Sequence, residues 1–385
     1  MPTNLPPEAQ VAEEKYKEAK TLPEKIKALQ DFISKIPKHK GTEKLLSVLK
    51  TRLAKLKNEL ENSKKIKRSS GRKTNIPKEG AAQVVLIGLT NTGKSALLNA
   101  LTGVDVKIAD YPFTTKEPAL GMLNYEGVLI QLIEVPAIFD GLTNSSTGPS
   151  IFSIIRNADS ILILIDLAEN PYEQLNIIIN ELERNSIKIN KSPPAAKIKK
   201  TGSGGLNIIG LQYFKGSKED LIELLKESGI YNATVHLSDY VTLADFVEIL
   251  DERIVYKPAI IVATKGDVEG SAANYEILKK YSGEVAEIIP VSVNKNIGIE
   301  LLKNKIFTML NIIRVYTKDA SNTVSPKPLV LKKGATVRDV ARRLGSTFLK
   351  EFKYAKISGP SAKFPGEKVG LDHELADKDA VQIFT

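Results

Sequence analysis

The clearest chemical pattern in this chain of 385 residues is an eight-residue run that begins at Gly88. Its sequence, Gly-Leu-Thr-Asn-Thr-Gly-Lys-Ser, has the form G-x-x-x-x-G-K-S. Backbone N–H groups of such a loop, together with the N-terminus of a following helix, bind the α- and β-phosphates of a nucleotide. Lys94 would contact the β- and γ-phosphates and assist catalysis, and the Ser95 hydroxyl would ligate Mg²⁺. The predicted nucleotide-binding residues of this loop are Gly88, Asn91, Thr92, Gly93, Lys94, Ser95 and Ala96.

The flanking sequence supplies the elements that must position this loop. The apolar run from Val84 to Ile87 is typical of a buried parallel strand, and a helical pattern opens at Ala96 and continues to Leu101. A strand, this loop and a helix in that order are the context in which the motif binds phosphate. The sequence therefore predicts a site for a nucleoside phosphate.

A second motif, far downstream, indicates which base the nucleotide carries. The apolar run Ala259 to Ala263 predicts another buried strand, and Thr264-Lys265-Gly266-Asp267 follows it as T-K-x-D. The Asp267 carboxylate would accept hydrogen bonds from the N1–H and amino groups of guanine, which adenine cannot offer. The Lys265 stem would cover the base, and Ser292-Val293, at the end of a third strand, would contact guanine O6 through the backbone. We therefore expect GTP or GDP as the ligand.

Between these motifs lie two candidate switch segments. Residues 110–115, Asp-Tyr-Pro-Phe-Thr-Thr, follow the loop helix, and Thr115 is predicted to ligate Mg²⁺ and to sense the γ-phosphate. Where GTP-binding proteins carry D-x-x-G, this chain has Glu134-Val135-Pro136-Ala137. Glu134 keeps a carboxylate for catalysis, whereas Ala137 lacks the freedom of glycine to adopt a positive φ. Ile138 stands where Ras-like proteins carry the glutamine that orients water.

These residues resemble the developmentally regulated GTP-binding protein family, a branch of the Obg-like GTPases. The segments that carry the resemblance are Tyr111–Thr115, Ile138, His39–Glu43 with Leu45–Leu60, Leu182–Pro194, Gly204–Ile208 and the tail from Pro328 onward, which looks like a TGS domain. This chain departs from the family pattern at two places. The family has D-x-P-G where this chain has Glu134–Ala137, and the family has a switch II rich in glycine and alanine where this chain has residues 141–148.

The resemblance and the breaks in the sequence pattern together predict an α/β fold with several domains. The P-loop G domain would have a mostly parallel sheet with helices on both faces. An N-terminal helical hairpin, an α+β insertion and a C-terminal β-grasp TGS domain would surround it. The predicted boundaries are 1–62 for the helical region, 63–80 for a basic linker, 81–182 and 256–318 for the G domain, 183–255 for the insertion and 326–385 for the TGS domain.

Composition excludes some classes of protein. The chain has no cysteine, which excludes a disulfide framework and a cysteine-based metal site, and its three histidines are scattered along the sequence. No apolar run approaches the roughly 18 residues that span a bilayer. We therefore expect a cytoplasmic protein that acts as a monomer and has no membrane partner.

The charge balance indicates a class of partner. Lysine and arginine number 55 against 45 acidic residues, giving a formal net charge of +10 at pH 7. Such an excess suggests a polyanion, although many lysine-rich proteins are simply well solvated. Since the resemblance points to translation, we expect the ribosome or ribosomal RNA, and a protein that docks on the TGS domain is a further candidate. The basic residues expected to face a partner in that domain are Lys332, Lys333, Arg338, Arg342, Arg343, Lys350 and Lys353.

Two hypotheses about activity stay open at this point. The chain is either a slow Mg²⁺-dependent GTPase whose nucleotide state controls docking on the ribosome, or a GTP/GDP-binding scaffold that has lost hydrolysis. Asn91 raises a related alternative, because an asparagine at this position either helps to bind K⁺ near the phosphates or is merely a suitable loop residue. The altered pair Glu134 and Ala137 is the feature on which the two hypotheses about activity divide.

Overall fold

The computed structural model describes residues 6, 8, 11–12, 22–37, 53, 76–103, 107–108, 118–283, 285–319 and 321–385. The chain divides into two compact units, Met1–Lys73 and Thr74–Thr385. In the first unit, helix α1 (Leu22–Lys35) buries Ile26, Leu29 and Phe32. The predicted second helix at 45–60, apart from Leu53, and most of the basic linker lie outside the described residues.

The second unit contains the elements that position the predicted site. Its strands are β1 (Ala82–Gly88), β2 (Lys107–Ile108), β3 (Ala119–Tyr125), β4 (Val128–Glu134), β5 (Ser160–Asp166), β6 (Ile187–Ile189), β7 (Ala196–Lys200), β8 (Leu206–Ile209), β9 (Phe214–Lys215), β10 (Ala233–Leu237), β11 (Val241–Thr242), β12 (Val255–Lys257), β13 (Ala259–Thr264), β14 (Glu287–Pro290), β15 (Ile312–Thr317), β16 (Leu329–Lys332), β17 (Tyr354–Ser358), β18 (Glu367–Val369) and β19 (Asp379–Phe384). Its helices are α2 (Lys94–Thr102), α3 (Gly148–Asn157), α4 (Pro171–Arg184), α5 (Lys218–Glu227), α6 (Leu243–Leu250), α7 (Ser271–Ser282), α8 (Ile299–Met309), α9 (Val337–Leu344) and α10 (Ser346–Lys350).

A seven-stranded sheet with the order β14-β13-β5-β1-β4-β3-β2 forms the centre of the nucleotide domain. β14, β13, β5, β1 and β4 are mutually parallel, and β3 is antiparallel to β4. Alternate residues of β1 enter two different cores, because side chains of a strand point to opposite faces. Val85 and Ile87 pack in the core that contains residues of α3, α4 and α7, whereas Val84 and Leu86 pack in the core that contains residues of α2 and α8. The predicted sheet with helices on both faces is confirmed.

The insertion has a core of its own. A three-stranded sheet with the order β7-β10-β8 and the helices α5 and α6 bury residues that include Leu221, Val235 and Phe246. The parallel pair β6 and β12 lies where the chain leaves and re-enters the nucleotide domain. Helix α5 contributes Leu221 and Leu225 to this core, and α6 contributes Phe246.

The C-terminal domain is a five-stranded sheet with the order β16-β15-β19-β17-β18, and α9 contributes Val337 and Val340 to its core. β15 pairs with β16 and β19, so it belongs to this sheet. The predicted boundaries, 256–318 for the G domain and 326–385 for the TGS domain, differ from this arrangement at β15. A short apolar strand does not indicate from its own sequence which of two neighbouring sheets it joins. Within the described ranges, no helix is long and apolar enough to cross a membrane.

Candidate nucleotide-binding site

The loop between β1 and α2 has the backbone that a phosphate cradle requires. Asn91 and Gly93 adopt positive φ values of 60° and 83°, and Gly93 is the residue before the first turn of α2. A Cβ on Gly88 would lie 2.6 Å from Thr92 Oγ1 and 2.9 Å from the Leu164 carbonyl oxygen, so a larger residue does not fit there. The glycines thus allow the chain to turn tightly against β5 and to present the N–H groups that open α2.

Lys94 is held at the base of this loop. The residue is 8% exposed, and its ammonium donates to the carbonyl oxygens of Gly88 (3.1 Å) and Leu89 (2.5 Å). Thr92 is buried beside it and its hydroxyl donates to Leu89 O at 3.1 Å. A buried cation needs such partners, and phosphate oxygens at the same place would supply stronger ones. Ser95 and Ala96 are exposed at the start of α2.

The structure brings Glu134 to the P-loop. β4 runs parallel to β1 with Leu86 opposite Glu134, and the Ser95 hydroxyl donates to the Glu134 carboxylate at 2.7 Å. A hydroxyl and a carboxylate are the oxygen ligands that Mg²⁺ prefers, usually with water in the remaining positions. These donors fit the ion, which Ser95 would bind directly and Glu134 through water. Thr115 and the rest of the predicted switch I, 110–115, lie outside the described residues.

The segment after Glu134 runs back under the P-loop. The N–H of Ile138 donates to the Gly88 carbonyl oxygen at 3.0 Å, and the Ile138 side chain is 1% exposed. Ile138 is therefore a core residue, and its apolar side chain cannot orient a water molecule at the phosphate site. Ala137 has a negative φ, in agreement with the cost of the positive region for a residue with a Cβ.

A buried carboxylate holds the next part of this segment. Glu181, on α4, is 0% exposed and accepts from the N–H groups of Gly141 (2.9 Å) and Thr143 (2.8 Å). It also accepts from the Thr143 hydroxyl and from the Arg184 guanidinium, both at 2.5 Å. Burial by itself would raise the pKa of Glu181, but the hydrogen bonds from Thr143, Gly141 and Arg184 outweigh it and hold the pKa below its usual value.

The predicted guanine motif follows β13 and contacts the P-loop directly. The Thr264 hydroxyl lies 2.9 Å from the Thr92 carbonyl oxygen and 3.1 Å from that of Ile165. Lys265 has a positive φ of 57°, and its ammonium forms an ion pair with the buried carboxylate of Asp166 at the end of β5. This pairing fixes the orientation of the Lys265 side chain, whose stem is predicted to cover the base.

Asp267 is positioned by the turn after β14. The Ser292 hydroxyl donates to Asp267 Oδ1 at 2.7 Å and also accepts from the Lys295 N–H at 3.1 Å. The hydrogen bond from Ser292 is the largest of the interactions that lower the pKa of Asp267, and the carboxylate is ionised at neutral pH. Val293 is half-buried in the same turn. The carboxylate retains lone pairs on both oxygens for two further donors, as guanine recognition requires.

The described part of the predicted site therefore comes together at one edge of the sheet. The motifs after β1, β4 and β13 and the turn after β14 are joined by the contacts of Ser95, Thr264 and Ser292. Sequence reasoning missed Asp166 and Glu181. Asp166 was detectable, since it is a carboxylate that ends an otherwise apolar strand, whereas Glu181 looks like any polar residue of an amphipathic helix.

Comparisons with known proteins agree with this geometry. A family model described as a 50S ribosome-binding GTPase matches residues 83–198, the model of the C-terminal region of that domain matches 203–312, and a TGS domain model matches 313–385. An uncharacterized GTP-binding protein of Methanocaldococcus jannaschii is 34% identical over 94% of this chain and 92% of its own length. Developmentally-regulated G-protein 3 of Arabidopsis thaliana is also 34% identical, over 94% of this chain and 98% of its own.

This chain belongs to the developmentally regulated GTP-binding protein family. Family membership and the P-loop domain make it a GTP-binding protein with a C-terminal TGS domain. A solved GTP-binding protein from Pyrococcus horikoshii OT3 is 16% identical and covers 79% of this chain and 99% of its own, with a TM-score of 0.46. The TGS model begins at residue 313, in agreement with the sheet that contains β15.

Proposed function

We propose that this protein is a slow Mg²⁺-dependent GTPase that acts on the ribosome, with its nucleotide state controlling its docking. The observation that carries the hydrolase part is the 2.7 Å contact between the Ser95 hydroxyl and the Glu134 carboxylate. Glu134 replaces the aspartate of D-x-x-G and is longer by one methylene, yet its carboxylate still reaches the hydroxyl that would hold the metal. Ser95 and Glu134 together would place Mg²⁺ beside the β- and γ-phosphates.

The proposed rate is slow because of Ile138. In GTPases with a glutamine at this position, the side chain orients the attacking water. Ile138 is buried in the core, so this chain must rely on electrostatic stabilisation of the transferred phosphoryl group by Lys94, Mg²⁺ and a further cation. K⁺ bound beside Asn91 would supply that charge.

The scaffold alternative rests on Ala137. The N–H at this position approaches the γ-phosphate in GTPases that have glycine there, and Ala137 keeps the N–H but not the conformational freedom. Single-turnover hydrolysis of GTP, with and without ribosomes, in KCl and in NaCl, separates the two hypotheses. Hydrolysis that depends on Glu134 supports the GTPase, whereas the same negligible rate for the wild type and Glu134→Ala under every condition supports the scaffold.

The proposed ribosomal partner is supported by charge and by the family description of residues 83–198. A cleft of about 750 Å³ lies between the nucleotide domain and the TGS domain, and its walls include Lys332, Lys333, Arg342 and Arg343. Arg342 pairs with Asp339 at 3.0 Å, while none of the described carboxylates lies within ion-pair distance of the other three. Three cations without an ion-pair partner among the described residues, all beside one cleft, suit the phosphates of RNA.

Sedimentation with ribosomes tests this partner. The pair of changes Lys333→Glu and Arg343→Glu should reduce binding several-fold and flatten its dependence on salt, because phosphate contacts release counterions. A control pair on the same domain, Lys363→Glu and Lys368→Glu, changes the net charge by the same amount at exposed residues outside the cleft. Equal loss in both pairs would remove the cleft from the proposal, and no sedimentation of the wild type in any nucleotide would contradict the ribosomal role.

A further inference from the structure

The turn between β3 and β4 joins the nucleotide domain to the TGS domain through charged groups. Glu126 and Gly127 form this turn, with φ values of 46° and 84°. The Glu126 carboxylate accepts from the Arg314 guanidinium and forms an ion pair with the Lys378 ammonium at 3.2 Å. Because Arg314 lies in β15 and Lys378 immediately precedes β19, two strands of one domain hold the hairpin tip of the other.

Arg314 is built into this contact. The residue is 5% exposed, and its Nε and Nη2 donate to the two carboxylate oxygens of Asp377 at 3.0 and 2.5 Å. The Arg314 N–H also donates to Asp377, at 2.7 Å. Hydrogen bonds from Lys378 and then Arg314 lower the pKa of Glu126, so its carboxylate stays charged. A buried arginine that is paired on both sides has a fixed orientation, unlike a surface ion pair.

Aromatic contacts fix the same turn on α8. The Tyr125 and Phe307 ring centroids are 5.5 Å apart, and the Arg314 guanidinium lies 4.6 Å from the Phe307 centroid. Asn304 donates to the Tyr125 hydroxyl at 3.0 Å. A Cβ on Gly127 would lie 3.4 Å from Pro328 Cδ, so the tip is also in close contact with the chain that leads into β16.

The other end of this hairpin is the nucleotide site. β3 and β4 pair along their whole length, from Tyr125 opposite Val128 at the tip to Ala119 opposite Glu134. Glu134 accepts from the P-loop Ser95, and β3 begins just after the predicted switch I. Six residue steps of about 3.3 Å place the two ends roughly 20 Å apart. Two adjacent strands of the seven-stranded sheet, β3 and β4, therefore connect the TGS domain at one end with Glu134, beside the P-loop, at the other.

We propose that Glu126 and Arg314 are positioning residues that couple the TGS domain to the nucleotide site through the β3–β4 hairpin. This inference rests on the nucleotide-controlled docking proposed above, and it names the element that carries the control. If Mg²⁺-GTP and GDP favour different placements of Glu134, they also favour different placements of the β3–β4 hairpin that ends at Glu134. Linkage then requires the ion pairs at the tip to change the relative affinity for the two nucleotides.

Two single variants of the full-length protein test the coupling. Glu126→Gln removes the charge at the tip and keeps the size of a half-exposed side chain, so the fold should survive. Asp372→Asn is the matched control, because Asp372 also pairs with an arginine of the TGS domain, Arg338, at 2.7 Å, but forms no ion pair with the described residues of the nucleotide domain. Fluorescent nucleotide titrations give the ratio of GDP to GTPγS affinity, and hydrogen exchange reports on residues 374–384.

We expect Glu126→Gln to change the affinity ratio by about three- to tenfold, near the lower end of typical allosteric couplings, and Asp372→Asn to leave it unchanged. We also expect exchange at 374–384 to differ between GDP and GTPγS in the wild type and in Asp372→Asn, and to become equal in Glu126→Gln. An unchanged ratio in Glu126→Gln, or wild-type exchange that is the same with both nucleotides, would overturn the coupling.

These measurements use neither ribosomes nor turnover. Absence of ribosome binding or of hydrolysis would therefore contradict the proposed function without altering the affinity ratio or the exchange result. A coupling that fails in the isolated protein while ribosome binding still depends on the nucleotide would retain the proposed function and reject the hairpin as its route.

Discussion

Replacement of Asp267 by asparagine should change the base that this protein prefers. Asp267 Oδ1 accepts from Ser292 at 2.7 Å, which fixes the rotamer and leaves both oxygens able to accept from guanine. Asparagine keeps one acceptor and puts an amide donor against a donor of the base. Loss of one charge-assisted hydrogen bond corresponds to about 10- to 150-fold in affinity, and the opposed donors increase this. We therefore expect GTP affinity to fall by about 30- to 1000-fold.

Xanthosine triphosphate provides the decisive comparison. Xanthine has a carbonyl oxygen where guanine has its amino group, so it accepts a hydrogen bond from the new amide, and its affinity should rise as that for GTP falls. Competition against a fluorescent GDP analogue measures both nucleotides for the wild type, Asp267→Asn and the exposed control Asp239→Asn. If Asp267→Asn kept the full wild-type preference for GTP over xanthosine triphosphate, the assignment of Thr264–Asp267 as the guanine motif would be wrong.

Three further predictions concern the P-loop and the segment that Glu181 holds. Glu181→Gln should lower the free energy of unfolding by about 2–4 kcal/mol, because a neutral amide pairs poorly with Arg184 and with the half-buried N–H groups of Gly141 and Thr143. Denaturant unfolding measures this loss. The pKa of Glu181 is lower in the folded than in the unfolded state, so the carboxylate stabilises the fold above the unfolded pKa of about 4.3. This stabilisation is lost as the pH falls through the folded pKa. The difference in free energy of unfolding between the wild type and Glu181→Gln should therefore shrink in acid. Lys94→Ala should abolish the rise in melting temperature that GTP and Mg²⁺ give the wild type, and an undiminished rise would contradict the phosphate assignment. If Asn91 binds K⁺, Asn91→Ala should hydrolyse GTP equally fast in KCl and NaCl while the wild type prefers KCl, and equal wild-type rates would reject that role.

The central part of the fold was predictable because its chemistry is local in sequence. The strand before Gly88 and the strand before Thr264 are continuous apolar runs, as expected for parallel strands buried on both faces. Each ends in a motif whose residues act within a few positions of one another. Parallel strands bring such ends to the same edge of a sheet, so the contact of Thr264 with Thr92 followed from two local patterns.

Contacts between distant polar residues were not predictable in this way. Arg314 and Glu126 are 188 positions apart, and neither occurs in a motif. Arg314 lies in a strand whose pattern suited either neighbouring sheet, and this also explains the misplaced boundary at β15. Glu181 is one of several charged residues on α4, and only the course of the chain at 141–143 shows why it is buried. A sequence pattern records which side chains share a face but not which loop returns to cover it.

The two ends of the altered switch II explain its unusual sequence. Ile138 is fixed by a hydrogen bond to Gly88 and by the core, and the chain just beyond it is fixed by Glu181. Between Glu134 and Ile138 the segment is therefore short and tied at both ends, so a glycine that swings through positive φ has little room to act. In such a segment, the extra methylene of Glu134 allows its carboxylate to reach Ser95 without a glycine at 137, so the substitutions at 134 and 137 are physically consistent with each other. We predict that Ala137→Gly alone raises the hydrolysis rate by less than threefold. Shortening Glu134 to aspartate should move the carboxylate away from Ser95 and lower the hydrolysis rate. A large gain in single-turnover rate for Ala137→Gly would show instead that backbone freedom at 137 limits the reaction.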